Sequence, residues 1–410
     1  MRNFFHATIA HPNSSPIRIG LLLLLLPAGQ LPGANPGLAK TVWAGLRGGA
    51  GNSGCVDGSA LPDATRFAWR WPADLTPAHA DFSCAPAACL QGTLYVPVST
   101  GRQIGLAALT TGDPSPDSAS STKPPDTNKW FVATAQPPGQ TVAATTTCVY
   151  FTEGRVGDAG RQLHCVDAAS GRRLWQVPIS ASASGEFLLT TSGLYIFCRD
   201  NELSHILVTG ERAGQLRWST PVGVTVGAPC ATADAIFAST RKGVVALRKA
   251  TGAVIWRQPS HQLPITGPVA SEDLVVVGMA NGISGLSMVN GGTLWTVKCT
   301  PAPVPLAVDA ARVLGTTAQG EIVVAGWDGR ELYRQPGAMT NQPPMLFGDK
   351  VLFCGPDAMQ LIDLSKTNAE SRWLATAWLG AITAPPILSD GIVYFATAEK
   401  GMICARQGKR

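Results

Sequence analysis

Cysteine and histidine are the side chains of this sequence with the widest range of chemistry. Ten cysteines offer disulfide formation, and six histidines offer metal binding or proton transfer. The histidines are His6, His11, His79, His164, His205 and His261. No two of them have the spacing of metal ligands on one turn or helix, and the chain has neither a Gly-x-Ser-x-Gly elbow nor a phosphate-binding loop. The sequence therefore predicts no catalytic and no metal-binding residue, although a site built from distant loops would leave no local motif.

The cysteines are predicted to be mainly structural. Four of them occupy small or strand-end positions and are expected to be buried free thiols: Cys165, Cys198, Cys354 and Cys404. The first and last of these take the place that Ala246 holds in "VVALRK". Two disulfides remain alternatives, Cys84 with Cys89 in "SCAPAAC" and Cys148 with Cys165, because spacing along the chain does not fix the Cα separation.

Two aspartates precede predicted turns and are the best-placed acidic residues. Asp167 lies in "CVDAASG" and Asp363 in "LIDLSKT". A carboxylate in this position accepts hydrogen bonds from backbone amides two or three residues later. A turn-capping role is therefore favoured over a catalytic one.

The elements that position these residues come from a repeat. Glycine stands four residues before an aromatic residue at Gly171/Trp175, Gly214/Trp218, Gly252/Trp256, Gly291/Trp295 and Gly329/Tyr333. The aromatic residues recur every 38 to 43 residues. A period near 40 with four strand-like segments and Asn-Gly or Gly-Gly turns is typical of β-propeller blades. The glycine is predicted to make the turn into the last strand, and the indole to fill the gap between neighbouring blades.

Less regular copies extend the repeat to both ends of the chain. Trp373, Trp130 and Trp71 continue the spacing, so the aromatic anchors predict eight four-stranded antiparallel blades. The C-terminal segment supplies three strands and stops near Gly408, whereas "FAWRW" is an anchor strand without a preceding repeat. We expect the two ends to form one shared blade, which removes the free sheet edge. Residues 66–410 are thus predicted to be one all-β propeller.

Two irregular segments interrupt the regular pattern. Residues 113–129 and residues 153–162 are the longest additions to the blades, and the first is rich in Pro and Ser. Because hairpin turns alternate between the two sides of a sheet, these segments are predicted to lie on opposite faces of the propeller.

The N-terminus predicts export. Arg18 is followed by an apolar run over residues 19–26 and then by small residues up to Ala39. This is the pattern of a signal peptide, here residues 1–39, and the run is too short for a permanent transmembrane helix. An N-terminal extension, residues 40–65, would follow. The protein is expected in the periplasm or associated with the cell envelope, as a monomer without a membrane span after cleavage.

Composition excludes several classes of protein. The chain is 45% hydrophobic and 14% charged, with 44 Gly and 31 Pro, which fits many short strands and argues against a coiled coil. The net charge of +5 is spread over 410 residues without a block of like charges. Nucleic acid is therefore not expected as a partner.

The motif "A-x-TG-x-x-x-W" at residues 250–256 resembles the pyrroloquinoline quinone-type repeat. This repeat occurs in quinoprotein alcohol dehydrogenases and in the propeller lipoprotein of the outer-membrane barrel-assembly machinery. The segment "WAGLRGGAGNSG", followed by "LPDATRFAWRWPADL", is similar to the start of exported single-propeller proteins of planctomycete-like bacteria. The resemblance covers residues 43–408 and implies the propeller fold, whereas function depends on a site.

The resemblance leaves two hypotheses for function. Quinoprotein dehydrogenases hold pyrroloquinoline quinone with calcium or a lanthanide, often beside a disulfide of adjacent cysteines. This chain has no Cys-Cys pair and is shorter than those enzymes, so no cofactor-binding residue is predicted. The favoured hypothesis is a non-catalytic scaffold that binds a protein or another cell-envelope partner through a loop face. The alternative is a quinone-dependent dehydrogenase.

Overall fold

A computed structural model shows an all-β protein of eight antiparallel sheets. The structure describes residues 65–71, 83–84, 88–100, 103–111, 128–259, 262–271, 274–302, 304, 306–309, 311–336, 342–354, 359–365, 372–373, 382–383, 385–389, 392–397 and 400–407. No helix occurs in these segments, and none of them contains a helix that could span a bilayer. The predicted signal peptide and the predicted extension, apart from Thr65, lie outside them.

The sheets form eight blades, which we number in chain order. Blade 1 contains β2 (Ser83–Cys84), β3 (Ala88–Leu90), β4 (Thr93–Ser99), β5 (Ile104–Thr110) and β6 (Asn128–Ala133), and blade 2 contains β7 (Pro138–Ala144), β8 (Cys148–Glu153), β9 (Gln162–Asp167) and β10 (Arg173–Pro178). Blade 3 contains β11 (Phe187–Thr190), β12 (Gly193–Arg199), β13 (Glu202–Ile206) and β14 (Leu216–Pro221), and blade 4 contains β15 (Cys230–Ala231), β16 (Ala235–Thr240), β17 (Gly243–Arg248) and β18 (Val254–Pro259).

The second half of the chain continues in the same order. Blade 5 contains β19 (Val269–Ala270), β20 (Leu274–Met279), β21 (Gly282–Ser287) and β22 (Thr293–Lys298), and blade 6 contains β23 (Ala307–Val308), β24 (Arg312–Thr316), β25 (Glu321–Gly326) and β26 (Glu331–Pro336). Blade 7 contains β27 (Met345–Phe347), β28 (Lys350–Cys354), β29 (Met359–Asp363) and β30 (Arg372–Trp373), and blade 8 contains β31 (Ile387–Ser389), β32 (Ile392–Thr397), β33 (Gly401–Gln407) and β1 (Thr65–Trp71).

Each blade is a meander in which successive strands pair. In blade 4, for example, Thr240 pairs with Gly243 across a two-residue turn, and the buried strands β16 and β17 consist mainly of small and β-branched residues. In blade 1 the first strand position is divided between β2 and β3, which both pair with β4. The predicted count of eight blades with four strand positions is confirmed.

Blade 8 closes the ring with strands from both ends of the chain, as predicted. The order of its strands is β1, β33, β32 and β31, and the first strand pairs with β33 from Thr65↔Gln407 to Trp71↔Met402. The Trp71 side chain is 6% exposed and belongs to a core cluster that includes residues of blades 1, 7 and 8. The edge that blade 8 would otherwise expose is therefore paired.

The position of the blade 8 anchor differs from the prediction by two residues. In blade 2, Trp175 pairs with Cys165 directly after a β-bulge, and in blade 8 Trp69 pairs with Cys404 directly after a β-bulge. Trp69, not Trp71, therefore holds the register of the repeat anchors. The segment "FAWRW" contains two tryptophans. The β-bulge before Trp69 inserts one extra residue into the strand, and the spacing of the sequence repeat does not show where such a bulge lies.

The anchor tryptophans connect each blade to the next. The Trp256 indole of blade 4 lies against Gly291 of blade 5, where a Cβ atom would come within 2.6 Å of the ring, and its Nε1–H donates to the carbonyl of Met288 at 2.8 Å. Gly291 has a φ of 74°, so it also makes the predicted turn. Four further pairs show the same contact: Trp130 with Gly171, Trp175 with Gly214, Trp218 with Gly252, and Trp295 with Gly329.

The two remaining anchors lie in blades 6 and 7. Tyr333 pairs with Val324 after a bulge and packs against the core between blades 6 and 7. Trp373 pairs with Gln360, and its side chain lies outside the described part of the chain.

The meander places the connections of every blade on two opposite faces. Turns between the first and second strands and between the third and fourth strands lie on one side, which we call the turn face. Turns between the second and third strands lie on the other side with the linkers to the next blade, and we call this side the linker face. The β8–β9 turn is on the linker face, whereas β5 ends and β6 begins on the turn face. The ends of these strands agree with the predicted opposite faces, but the position of residues 113–127 stays a prediction. Most of the intervening segment, residues 112–127, lies outside the described residues.

Candidate functional site

The linkers of the linker face are fixed to the blades that they enter. Backbone bridges join each of four linkers to the second strand, or the turn after it, of the following sheet: Thr225 to Thr240, Pro264 to Met279, Pro301 to Thr317, and Ile382 to Thr397. Further hydrogen bonds run from the amide of Ala280 to the carbonyl of Leu263 and from the amide of Ala318 to the carbonyl of Thr300. The linker face is thus an ordered surface rather than a set of independent loops.

A polar cleft of about 550 Å³ opens on this face between blades 5 and 6. It is built from the β20–β21 turn, the end of β22 with the linker that follows it, and the β24–β25 turn with the start of β25. Its walls carry two amide side chains, an ammonium group, a hydroxyl, a thiol and a carboxylate, and the lining residues are Ala280, Asn281, Lys298, Cys299, Thr300, Gln319 and Glu321. Such groups can donate and accept hydrogen bonds along a polypeptide backbone.

Arg334 organises the outer wall of the cleft. Its guanidinium donates to Glu321 at 3.1 Å, to Glu331 at 2.8 Å and to the carbonyl of Lys298 at 3.1 Å, so it ties blade 6 to the end of blade 5. The hydrogen bond to Glu331 raises the pKa of Arg334, and Arg334 lowers the pKa of Glu331. The Lys298 ammonium, by contrast, makes no ion pair within the described residues. A free cation and hydrogen-bonding amides thus face the same space.

Cys299 gives the cleft a thiol of low reactivity. Burial raises the pKa of this thiol, although Arg334 opposes the shift. A protonated thiol is a poor nucleophile at neutral pH.

Two exposed apolar side chains lie on the linker face at the entries to blades 4 and 5. Val224 and Leu263 occupy equivalent positions, each directly before a linker bridge, and are 49% and 51% exposed. The exposed pair Arg241 and Lys242 forms the turn next to Val224, since the amide of Arg241 donates to the carbonyl of Val224. Blades 4 and 5 thus present apolar and basic groups together on the linker face.

A buried cation supports the linker face over blades 2 and 3. Arg161 is 2% exposed, and its guanidinium donates to the carbonyls of Gly154 and Ser180 and, through a short bond, to that of Ala183. Another bond reaches the carbonyl of Ser184 at 3.2 Å. Burial lowers the pKa of Arg161. The linker between blades 2 and 3 is therefore ordered around one side chain of the β8–β9 turn.

Glu153 and His164 form a second buried polar pair under this turn. Glu153 accepts hydrogen bonds from the amides of Ala135 and Gln136 at 2.7 and 2.9 Å and contacts His164 Nε2 at 2.6 Å. Burial lowers the pKa of His164 despite the neighbouring carboxylate. The neutral imidazole then donates its Nε2–H to Glu153, which is a structural role.

Glu186 stands at the end of the same linker, directly before β11. Burial raises the pKa of its carboxyl group from 4.5 to about 7. A carboxyl group with this pKa is only partly ionised near neutral pH.

The residues singled out by sequence mostly have local structural roles. Asp167 accepts hydrogen bonds from the amide and hydroxyl of Ser170, and Asp363 does the same with Ser365, so both cap turns as predicted. His205 is buried and contacts the carbonyl of Ser192 at 3.0 Å. The structure does not bring these residues together.

The four cysteines predicted to be buried are indeed buried: Cys165, Cys198, Cys354 and Cys404. The predicted equivalence with Ala246 is also confirmed, because Cys165, Cys404 and Ala246 each pair with the anchor tryptophan of their blade. The Cys84 side chain lies outside the described part, so a disulfide with Cys89 stays a prediction.

A quinone–calcium centre finds no ligand set in the described part of the chain. No three His, Cys, Asp or Glu side chains come together there as metal ligands. Asp167 and Asp363 bond to their own turns, and Glu321 and Glu331 bond to Arg334. These residues do not fit such a centre.

Several proteins of known structure have a fold similar to that of this chain. BamB from Moraxella catarrhalis is 15% identical with a TM-score of 0.62, over 85% of this chain and 98% of that one. The quinohemoprotein alcohol dehydrogenase from Comamonas testosteroni is 11% identical with a TM-score of 0.63, over 90% of this chain and 82% of that one. The computationally designed Ika8 protein is 12% identical with a TM-score of 0.63, over 83% and 99%. These likenesses show the fold alone.

Comparison of sequences, unlike comparison of folds, identifies one family. A search of curated proteins found no match. The sequence pattern of the family described as outer membrane protein assembly factor BamB matches residues 202–409, which include the cleft, Val224 and Leu263. The chain is therefore a pyrroloquinoline quinone-type repeat propeller and belongs to the outer membrane protein assembly factor BamB family.

Proposed function

We propose that the protein is a non-catalytic, exported, monomeric scaffold that binds a protein partner of the cell envelope through its linker face. The observation that carries the proposal is the ordered polar cleft between blades 5 and 6, with exposed Leu263 and unpaired Lys298 at its side. Amides, an ammonium group and apolar side chains in one place suit an extended polypeptide segment. Membership of the BamB family, whose description is an assembly factor, supports the same class of function.

The turn face is less suited to a partner. Its described turns are short apart from residues 207–215 between β13 and β14, and side chains such as Asp167 and Asn290 bond back to their own turns. Val289 is 83% exposed there. Val289 therefore provides a control of the same chemical type as Leu263.

The test is capture of envelope proteins by residues 40–410 as bait. Leu263→Glu places a charge beside the cleft, and Val289→Glu places the same charge on the turn face. We expect the first variant to lose the proteins that the parent captures and the second to retain them, with both variants melting like the parent. Equal capture by both variants, or equal loss, would show that the linker face is not the binding surface.

A second measurement separates the scaffold from the dehydrogenase alternative. The purified protein is incubated with pyrroloquinoline quinone and calcium, and quinone binding and dye-linked oxidation of alcohols and sugars are followed. We expect neither tight binding nor turnover. Tight binding with turnover would overturn the non-catalytic proposal whatever the capture experiment shows.

A further inference from the structure

Blade 2 brings two thiols and a phenol together on one side of its sheet. In the pairing of β8 with β9, Cys148 is opposite Asp167 and Tyr150 is opposite Cys165. Cys148 and Cys165 are therefore diagonal neighbours on adjacent strands, and both belong to the core cluster between blades 2 and 3. Both are free thiols in this structure.

The backbone holds Cys148 in place at one end of this contact. The Cys148 amide donates to the Thr145 hydroxyl at 2.9 Å, and the Thr145 amide donates to the Cys148 carbonyl at 2.7 Å. Cys165 lies within the central strand β9 and pairs on its other side with Trp175. The two cysteine residues are thus diagonal neighbours because of the register of the sheet.

The two thiols differ in their access to solvent. Cys165 is fully buried, whereas Cys148 is partly exposed at the first residue of β8. Burial raises the pKa of Cys165 and of Tyr150, so both stay protonated near neutral pH. A soluble oxidant therefore reaches Cys148 first.

We propose that Cys148 and Cys165 form a reversible disulfide that joins the two central strands of blade 2. With oxidised glutathione as the oxidant, Cys148 sulfur attacks one glutathione sulfur and releases one glutathione thiol. Cys165 sulfur then attacks Cys148 sulfur in the mixed disulfide and releases the second. Two protein thiols are oxidised, one glutathione disulfide is reduced, and the two thiol protons end on the released glutathione molecules.

The diagonal register explains why the bond is reversible. Diagonal residues of antiparallel strands are further apart than directly opposed residues, and a disulfide requires a short Cβ separation. Closing the bond must therefore draw Cys148 toward β9, and a bond under such tension is reduced more readily than a relaxed one. In the oxidising compartment predicted by the N-terminal segment the oxidised form would dominate.

The experiment uses the full chain from residue 40 in glutathione buffers of graded composition. The protein is quenched in acid, denatured, alkylated and digested with trypsin, which separates residues 130–155 from residues 162–172. We expect the two peptides to be recovered as one disulfide-linked species that lacks two hydrogens, and to separate as the buffer becomes reducing. Cys230, a fully buried thiol, should stay alkylatable after denaturation throughout.

Two controls keep the outcome decisive. Cys148→Ser should abolish the linked species and leave Cys165 alkylated, whereas Cys230→Ser should leave the linked species unchanged. Full alkylation of both Cys148 and Cys165 in the most oxidising buffer would overturn the proposal, even if a serine variant failed to fold. The result is independent of partner capture, so it does not depend on the proposed function.

Discussion

The two faces of the propeller are built by different means. On the turn face, a neutral glycine such as Gly291 receives the indole of the preceding blade, and the turn closes on its own side chains. On the linker face, charged groups such as Arg161 and Arg334 hold segments that are distant in sequence. The turn face repeats the glycine–indole contact from blade to blade and adds a charged contact from Arg312 of blade 6 to Asp349 of blade 7. Among the described residues the linker face does not repeat this glycine–indole contact, so its polar contacts can differ from blade to blade.

The largest effect should come from removing β1, the N-terminal strand that completes blade 8. Deletion of residues 66–72 removes β1 and leaves the edge of β33 unpaired. We expect a large loss of folded protein, measured by size-exclusion chromatography and circular dichroism melting. A deletion variant that melts like the parent would show that ring closure does not depend on the shared blade.

A substitution at the glycine of the turn face tests the indole contact. In Gly291→Ala the new methyl group would clash with the Trp256 ring at 2.6 Å, and φ is 74°. We expect a loss of roughly 2–4 kcal/mol in the free energy of unfolding, measured by urea titration. Gly210→Ala is the matched control, because φ is 76° and no atom lies within 4 Å. It should lose only about 1–2 kcal/mol, and an equal loss in both variants would assign the effect to the backbone alone.

The linker face should respond to pH through Glu186. Its pKa is raised from 4.5 to about 7, so the folded state binds a proton that the unfolded state has lost above pH 4.5. The stability contributed by the protonated group is therefore lost between pH 4.5 and about 7. Glu186→Gln should raise the free energy of unfolding at pH 8 by roughly 2 kcal/mol and leave it nearly unchanged at pH 4. If the substitution raised the free energy of unfolding equally at both pH values, ionisation of Glu186 would not be the cause.

The smallest effect should come from the insertion at the turn face. Deletion of residues 114–127 shortens the connection between β5 and β6 without removing a strand. Loop length changes the closure entropy only slowly, so the melting temperature should stay close to that of the parent. A large decrease would mean that this segment packs against the blades and contributes to the stability of the turn face.

The sequence alone predicts the number of blades but not their contacts. In the sequence Trp256 is associated with Gly252, four residues earlier. In the structure its indole instead contacts Gly291 of the next blade. The spacing also does not show which tryptophan of "FAWRW" follows the bulge in β1. Both features depend on the angle between neighbouring sheets and on a local change of register, which a linear period does not record.

The candidate site was still less predictable from the sequence. Residues 280–281, 298–300 and 319–321 belong to three segments with no shared motif, and the ring alone brings them to one cleft. Arg161 is visible as a basic residue in an irregular turn, but its carbonyl partners in residues 180–184 become apparent only when the linker folds back over it. Sites assembled between blades therefore need the three-dimensional arrangement.

The indole–glycine contacts give the ring a direction. In the five described pairs the earlier blade supplies the tryptophan and the later blade the glycine, so blades 2 to 5 contact their two neighbours through different halves of the motif. Among related sequences, Trp256 should therefore covary with Gly291, 35 residues later, and not with Gly252, four residues earlier. If a repeat is duplicated or deleted, each tryptophan keeps its glycine partner in the next blade only when the gained or lost segment is one whole repeat. This requirement limits how the number of blades can change during evolution.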